Sequence, residues 1–135
     1  MSITLRRFIS VALLASALAA AAADNSVTGV FSTLEFHKRS GDLAGKEIQI
    51  IYSFQGHYLV VQCASGVPNV VPLNVEGLKI TFTLGEKQED AMCGLGTYEG
   101  EVRSNELLLW SKGDKKHLEV LPRRESYWVK RDRAV

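Results

Sequence analysis

Between Lys46 and Leu84 apolar and polar residues alternate with a period of two, and Gly, Pro or polar clusters interrupt the alternation every few residues. This pattern constrains the fold more than any other feature of the chain. Successive side chains of a strand point to opposite faces, so a period of two marks half-buried strands, whereas an amphipathic helix needs 3.6. In Lys46–Phe54 the residues Ile48, Ile50, Tyr52 and Phe54 share one face, with Glu47, Gln49 and Ser53 on the other. Gln55-Gly56-His57 then leads into Tyr58–Gln62, where Leu59, Val61 and Cys63 share a parity. Two such runs joined by a short Gly-containing link read as a hairpin. Leu78–Leu84 gives the cleanest case, with Leu78, Ile80, Phe82 and Leu84 against Lys79, Thr81 and Thr83.

The flanking segments follow the same rule. Val27–Phe36, Val70–Val75, Gly96–Arg103, Glu106–Trp110 and His117–Leu121 are rich in β-formers and bounded by turn residues. Pro72 marks an edge or a bulge. Ser126-Tyr127-Trp128-Val129 is a short aromatic segment, and no helix of convincing length follows residue 23. About eight short strands spaced by roughly 8–12 residues predict an all-β fold: a small antiparallel barrel, closed or partly open, mostly a meander. Closure would remove exposed edge strands. The expected interior is Val30, Leu34, Phe36, Ile48, Ile50, Tyr52, Leu59, Val61, Leu78, Ile80, Phe82, Leu84, Tyr98, Val102, Leu107, Leu109, Leu118 and Val120.

The first 23 residues have a different character. Arg6 and Arg7 precede an apolar run from Phe8 to Leu18, and Ala21-Ala22-Ala23 offers an A-x-A cut before Asp24. That is the layout of a cleaved secretory signal helix, and the run is shorter than the roughly 20 apolar residues of a membrane span. The sequence thus predicts a bacterial-type signal peptide at 1–23 and one β domain at 24–135, located in the periplasm or secreted, with no stable membrane insertion after cleavage. In such a compartment Cys63 and Cys93, the only cysteines, read as a disulfide.

Composition matters for the choice of partner. The 135-residue chain has 16 basic and 15 acidic residues, a net charge of +1. Its 112 residues from Asp24 onward carry net −1, made of −5 over 24–102 and +4 over 103–135. The balance removes the electrostatic case for nucleic acid. The basic, aromatic end at 122–135 is a candidate partner-binding element through Arg123, Arg124, Tyr127 and Trp128, directed at a protein or an anionic glycan. The acidic loop with Glu86, Glu89 and Asp90 is a second candidate, beside loops His37–Gly45 and Cys63–Asn69.

Catalytic patterns are weak. His37, Ser40 and Asp42 could be written as a small hydrolase site, but no Gly-x-Ser-x-Gly elbow is present. Glu99 and Glu101 sit at i, i+2 rather than across a cleft. His37, His57 and His117 lack metal-ligand spacing. The reading is an exported, non-enzymatic binding protein without metal or cofactor, acting by inhibitor- or immunity-type blockade of a protein partner. A small-ligand or glycan-binding barrel, with Tyr52, Phe54, Tyr58 and Trp110 lining its mouth, is one alternative, and a small hydrolase using His37, Ser40 and Asp42 is another.

Overall fold

The computed structural model describes residues 26–86 and 93–135. The segment 1–23, Glu89 and Asp90 lie outside the described residues. The described strands are β1 (Gly29–Ser32), β2 (Glu35–His37), β3 (Asp42–Ala44), β4 (Glu47–Ser53), β5 (Gly56–Gln62), β6 (Asn69–Pro72), β7 (Asn74–Glu76), β8 (Lys79–Leu84), β9 (Gly96–Val102), β10 (Glu106–Ser111) and β11 (Glu119–Pro122), followed by helix α1 (Tyr127–Asp132). The fold is all-β with antiparallel pairing, as the alternation predicts.

The ladders form a four-stranded sheet in the order β1-β4-β5-β6, a five-stranded sheet in the order β11-β10-β9-β8-β7, and the separate hairpin β2-β3. From β4 onward each strand pairs with the next in the chain, a meander, except where β6 passes into β7. Among the described residues no closed barrel is found, which corrects the closed form of the expectation. Pro72 has no N–H to donate and ends β6, and the Leu73 amide turns back to the His57 carbonyl (3.0 Å). The chain therefore changes sheets at Leu73. At the other side no ladder joins β1 to β11 among the described residues; the isolated bridge Phe31–Arg123 and the Arg124 amide on the Val30 carbonyl (3.1 Å) link the two ends.

The two sheets enclose one core of Phe31, Ile48, Ile50, Leu59, Val61, Val71, Ile80, Phe82, Leu84, Val102, Leu107, Leu109 and Leu121, together with both cysteines. Leu34 is also buried. Large side chains fill this interior: Phe31, Ile48, Leu59, Leu107 and Leu121 are wholly inaccessible.

Six expected core residues belong elsewhere. Val30 is half-buried because Phe31, opposite Ile48, takes the inward position of β1. The expected strand 27–36 breaks at Thr33, whose amide binds the Lys46 carbonyl (2.8 Å), so Phe36 moves onto the β2-β3 hairpin and is exposed. Leu118 precedes β11, and Leu121 rather than Val120 faces Leu107 through it. Leu118 and Val120 are both exposed. Tyr52 pairs with His57 near the hairpin tip and Leu78 precedes β8, so both lie beyond the packed layer and are exposed.

Cys63 and Cys93 form a disulfide with Cα atoms 5.4 Å apart, and both are buried. A buried disulfide is typical of proteins in extracellular or periplasmic surroundings. Tyr98 secures the adjoining backbone, sharing its hydroxyl proton between the carbonyls of Cys93 (3.0 Å) and Gly94 (2.9 Å) while its ring stacks on Phe82. Burial raises the Tyr98 phenol above its ordinary 10.0, and the Glu119 carboxylate adds to the rise against an opposing hydrogen bond from Ser111. A folded pKa above the unfolded one means stability that is intact below about pH 10 and lost as pH climbs through the folded value. Tyr98→Phe should therefore lower the unfolding free energy in urea at neutral pH by about 1 kcal/mol for the lost hydrogen bonding, and remove the Tyr98 contribution to alkaline loss. Equal alkaline slopes in wild type and variant would contradict this.

Candidate partner-binding face

Helix α1 forms where the sequence places Ser126 before two aromatic residues. The Ser126 hydroxyl caps it by accepting from the Trp128 amide (3.2 Å). The cap is reinforced from β4: the Glu47 carboxylate, only 5% exposed, accepts from the Ser126 hydroxyl (2.5 Å) and the Tyr127 amide (2.8 Å). A carboxylate beside unpaired helix amides is favoured by charge and dipole together. Lys130 and Arg131 occupy the last turn, the matching position for cations. The aromatic segment is thus the first turn of a helix laid on the outer side of β4.

Trp128 connects this helix to two loops. A Cβ built on Gly66 would lie 3.2 Å from Cζ2 of Trp128 and 3.9 Å from Cδ2 of Leu43. Gly66 also has φ of +73°, so a larger residue there meets both backbone strain and the indole. The loop 63–69 at Gly66 therefore lies beside Trp128 of α1 and near Leu43 of the β2-β3 hairpin. The Arg131 guanidinium lies 5.8 Å from the Phe36 ring centre, a second link between α1 and the hairpin. Tyr127 meets Trp128 edge-on at 5.0 Å. The disulfide brings Cys93, at the end of the acidic loop, to the start of the loop 63–69. Glu86 is exposed just after β8, while Glu89 and Asp90 lie outside the described residues.

Clefts border α1 on several sides. One of about 240 Å³ is lined by Glu35, Arg124, Glu125, Tyr127 and Lys130. Another of about 250 Å³ lies between Trp128, Val129 and the outer faces of β4 and β5. Val129, Lys130 and Arg131 are exposed on α1, exposed Phe36 of β2 lies near the Arg131 guanidinium, and Lys38 and Arg39 are exposed at the turn of the β2-β3 hairpin.

Arg123 and Arg124 have a different place from the rest of the basic end. Arg123 donates to the carbonyls of Thr28 (2.7 Å) and Ser26 (2.9 Å) and lies over the Phe31 ring at 4.7 Å. Arg124 donates to the Leu34 carbonyl (3.1 Å). Both guanidinium groups bind the C-terminal segment to the strand β1 region, so their cations are engaged within the fold. Spacing in sequence could not reveal these contacts, which join residues 90 or more positions apart.

The catalytic patterns resolve into local structure. His37 and Asp42 pair across the β2-β3 ladder, and Ser40 Oγ accepts from the Asp42 amide at 3.4 Å. All three residues are exposed on the hairpin. His57 packs against the Tyr52 ring at 4.9 Å, and His117 Nδ1 lies 2.7 Å from Asp114 on an exposed turn. Among the described residues no three His, Cys, Asp or Glu side chains gather as a metal site. Tyr52, Phe54 and Tyr58 stay on the β4-β5 hairpin, whereas Trp110 stands on the outer face of the other sheet, so these four do not line a common mouth. No protein-family model matches the chain, and no significant match is found among curated proteins or solved structures.

Proposed function

We propose that this is an exported, non-enzymatic binding protein, a partly open β-barrel that engages a protein partner and blocks it sterically through the face built from α1, the β2-β3 hairpin and the loop 63–69. The observation that carries this reading is the contact of Trp128 with Gly66 beside Leu43, which gathers three sequence-distant segments on one exposed face. The disulfide at Cys63 and the Glu47 cap on α1 hold two of those segments before any partner arrives. Binding then costs less conformational entropy than binding by free loops. Exposed Phe36 and Val129 among Lys and Arg side chains supply the mixture of aromatic anchor and cationic rim found in protein interfaces. The segment 1–23 serves as the export signal, which agrees with the oxidised cysteine pair.

The test uses protein purified from the exported fraction, whose mass should correspond to a chain starting at Asp24. Immobilised wild type and the variant F36A/K130E are compared for capture from periplasmic extract and for inhibition of envelope hydrolases. A partner held by wild type should bind the variant about 30-fold more weakly, the scale of one interface anchor, with the unfolding midpoint of the variant unchanged. Equal capture by both proteins would overturn the assignment of this face. Capture of nothing and inhibition of nothing would overturn the function.

A further inference from the structure

We propose that the outer face of the five-stranded sheet carries a second binding site, for a neutral carbohydrate, built around Trp110. The strand register assembles it. Asn74 pairs with Thr81, Thr81 with Glu99, and Glu99 with Trp110, so one rung across β7, β8, β9 and β10 presents these four side chains on one face. The adjacent rung presents Glu76, Lys79 and Glu101 on the same face. With strands about 4.8 Å apart, a four-strand rung spans about 14 Å. A cleft of about 280 Å³ lies over these two rungs.

Trp110 is the platform. Its neighbours Leu107 and Leu109 enter the core, so the indole stands on the opposite side of β10. Its Nε1 donates to Oε2 of Glu99 at 3.0 Å, which fixes the ring. The exposed Lys115 ammonium lies over the ring at 4.7 Å from its centre, and both residues line the cleft.

The chemistry of the lining selects the ligand class. A sugar ring offers a flat C–H face, which suits the electron-rich face of indole, and a rim of hydroxyls that both donate and accept. Glu76, Glu99 and Glu101 accept, Lys79 donates, and Asn74 and Thr81 do both. Three carboxylates oppose an anionic ligand, while Lys79, Lys115 and Arg103, which pairs with Glu101 at 3.5 Å, offset their charge and leave little attraction for a cationic one. A neutral polyhydroxylated ring meets no such repulsion. The groups sit on neighbouring paired strands, so little ordering is needed on binding. This site shares no residue with the α1 face and does not depend on the protein-partner reading.

Isothermal titration with soluble cello-, malto-, xylo- and chito-oligosaccharides tests it. At least one should bind wild type saturably. Trp110→Ala should weaken that binding by about tenfold or more, and Lys115→Ala, on an exposed turn, should tighten it by uncovering the ring. In NMR spectra the indole N–H signal of Trp110 should shift on saturation while that of Trp128 stays. If Trp110→Ala does not fold, Lys115→Ala and the indole signal decide the matter in the native protein. The proposal is overturned if no neutral oligosaccharide binds, if a polyanionic glycan binds in preference, or if the bound sugar leaves the Trp110 signal in place.

Discussion

Replacing Cys63 and Cys93 together by alanine should cost about 3–4 kcal/mol of stability, the largest effect expected from any change outside the hydrophobic side chains. The bond closes a loop with a sequence separation of 30 residues. In the chain-entropy account, the cross-link restricts the unfolded chain far more than the folded one, and a loop of this length gives that magnitude. Both sulfurs are also buried in the core, so their removal loses packing in addition. Urea unfolding of the wild type, the double variant and the reduced wild type measures the effect. Thiol titration of the unreduced protein should find no free thiol. A double variant within about 1 kcal/mol of wild type would remove the disulfide from its stabilising role. The variant should also lose affinity for a protein partner, because loop 63–69 would then have to be ordered on binding.

Phe31→Ala should cost about 3–5 kcal/mol, whereas Val30→Ala should cost less than about 1 kcal/mol. Phe31 is wholly inaccessible between Ile48 and the Arg123 guanidinium. Truncating it leaves a cavity that surrounding strands cannot fill without breaking ladders, and it deprives Arg123 of the ring beneath it. Val30 points to the other side of β1 and is only half-buried. The contrast between adjacent residues is the measurement. Equal destabilisation by the two substitutions would mean that β1 is paired in a different register. Loss at Phe31 should extend to the C-terminal segment, because Arg123 and the Phe31–Arg123 bridge are its links to β1. Resonances of α1 should therefore broaden or shift in the Phe31 variant, while those of β9 remain.

The alternation at 46–62 and 79–84 was legible because those strands have one buried and one wet face, and side chains then report the pleat directly. Ile48, Ile50, Leu59, Val61, Ile80, Phe82 and Leu84 all occupy the core as that alternation requires. It misled at 27–36 and 117–121. There apolar residues occur on both parities, and a shift of one residue exchanges the faces completely. Phe31 and Leu121 were the residues lost to that exchange. The short helix at Tyr127–Asp132 was legible only as an aromatic segment, because the support for its Ser126 cap, Glu47, lies 79 positions away. Glu99 and Glu101 looked like solvated neighbours on a strand until β8 and β10 placed Thr81, Lys79 and Trp110 beside them.

By itself the sequence determined the all-β class, the meanders β4-β5-β6 and β7 to β11, the pairing of the two cysteines and most of the central core. Each depends on local periodicity, turn chemistry or simple counting. Only the tertiary structure decided the break of the sheets at Leu73, the inward turn of Phe31, the engagement of Arg123 and Arg124 by backbone carbonyls, and the meeting of Trp128 with Gly66. These depend on contacts between residues distant along the chain, and a single sequence carries no signal of which distant carbonyl, ring or carboxylate a side chain will reach.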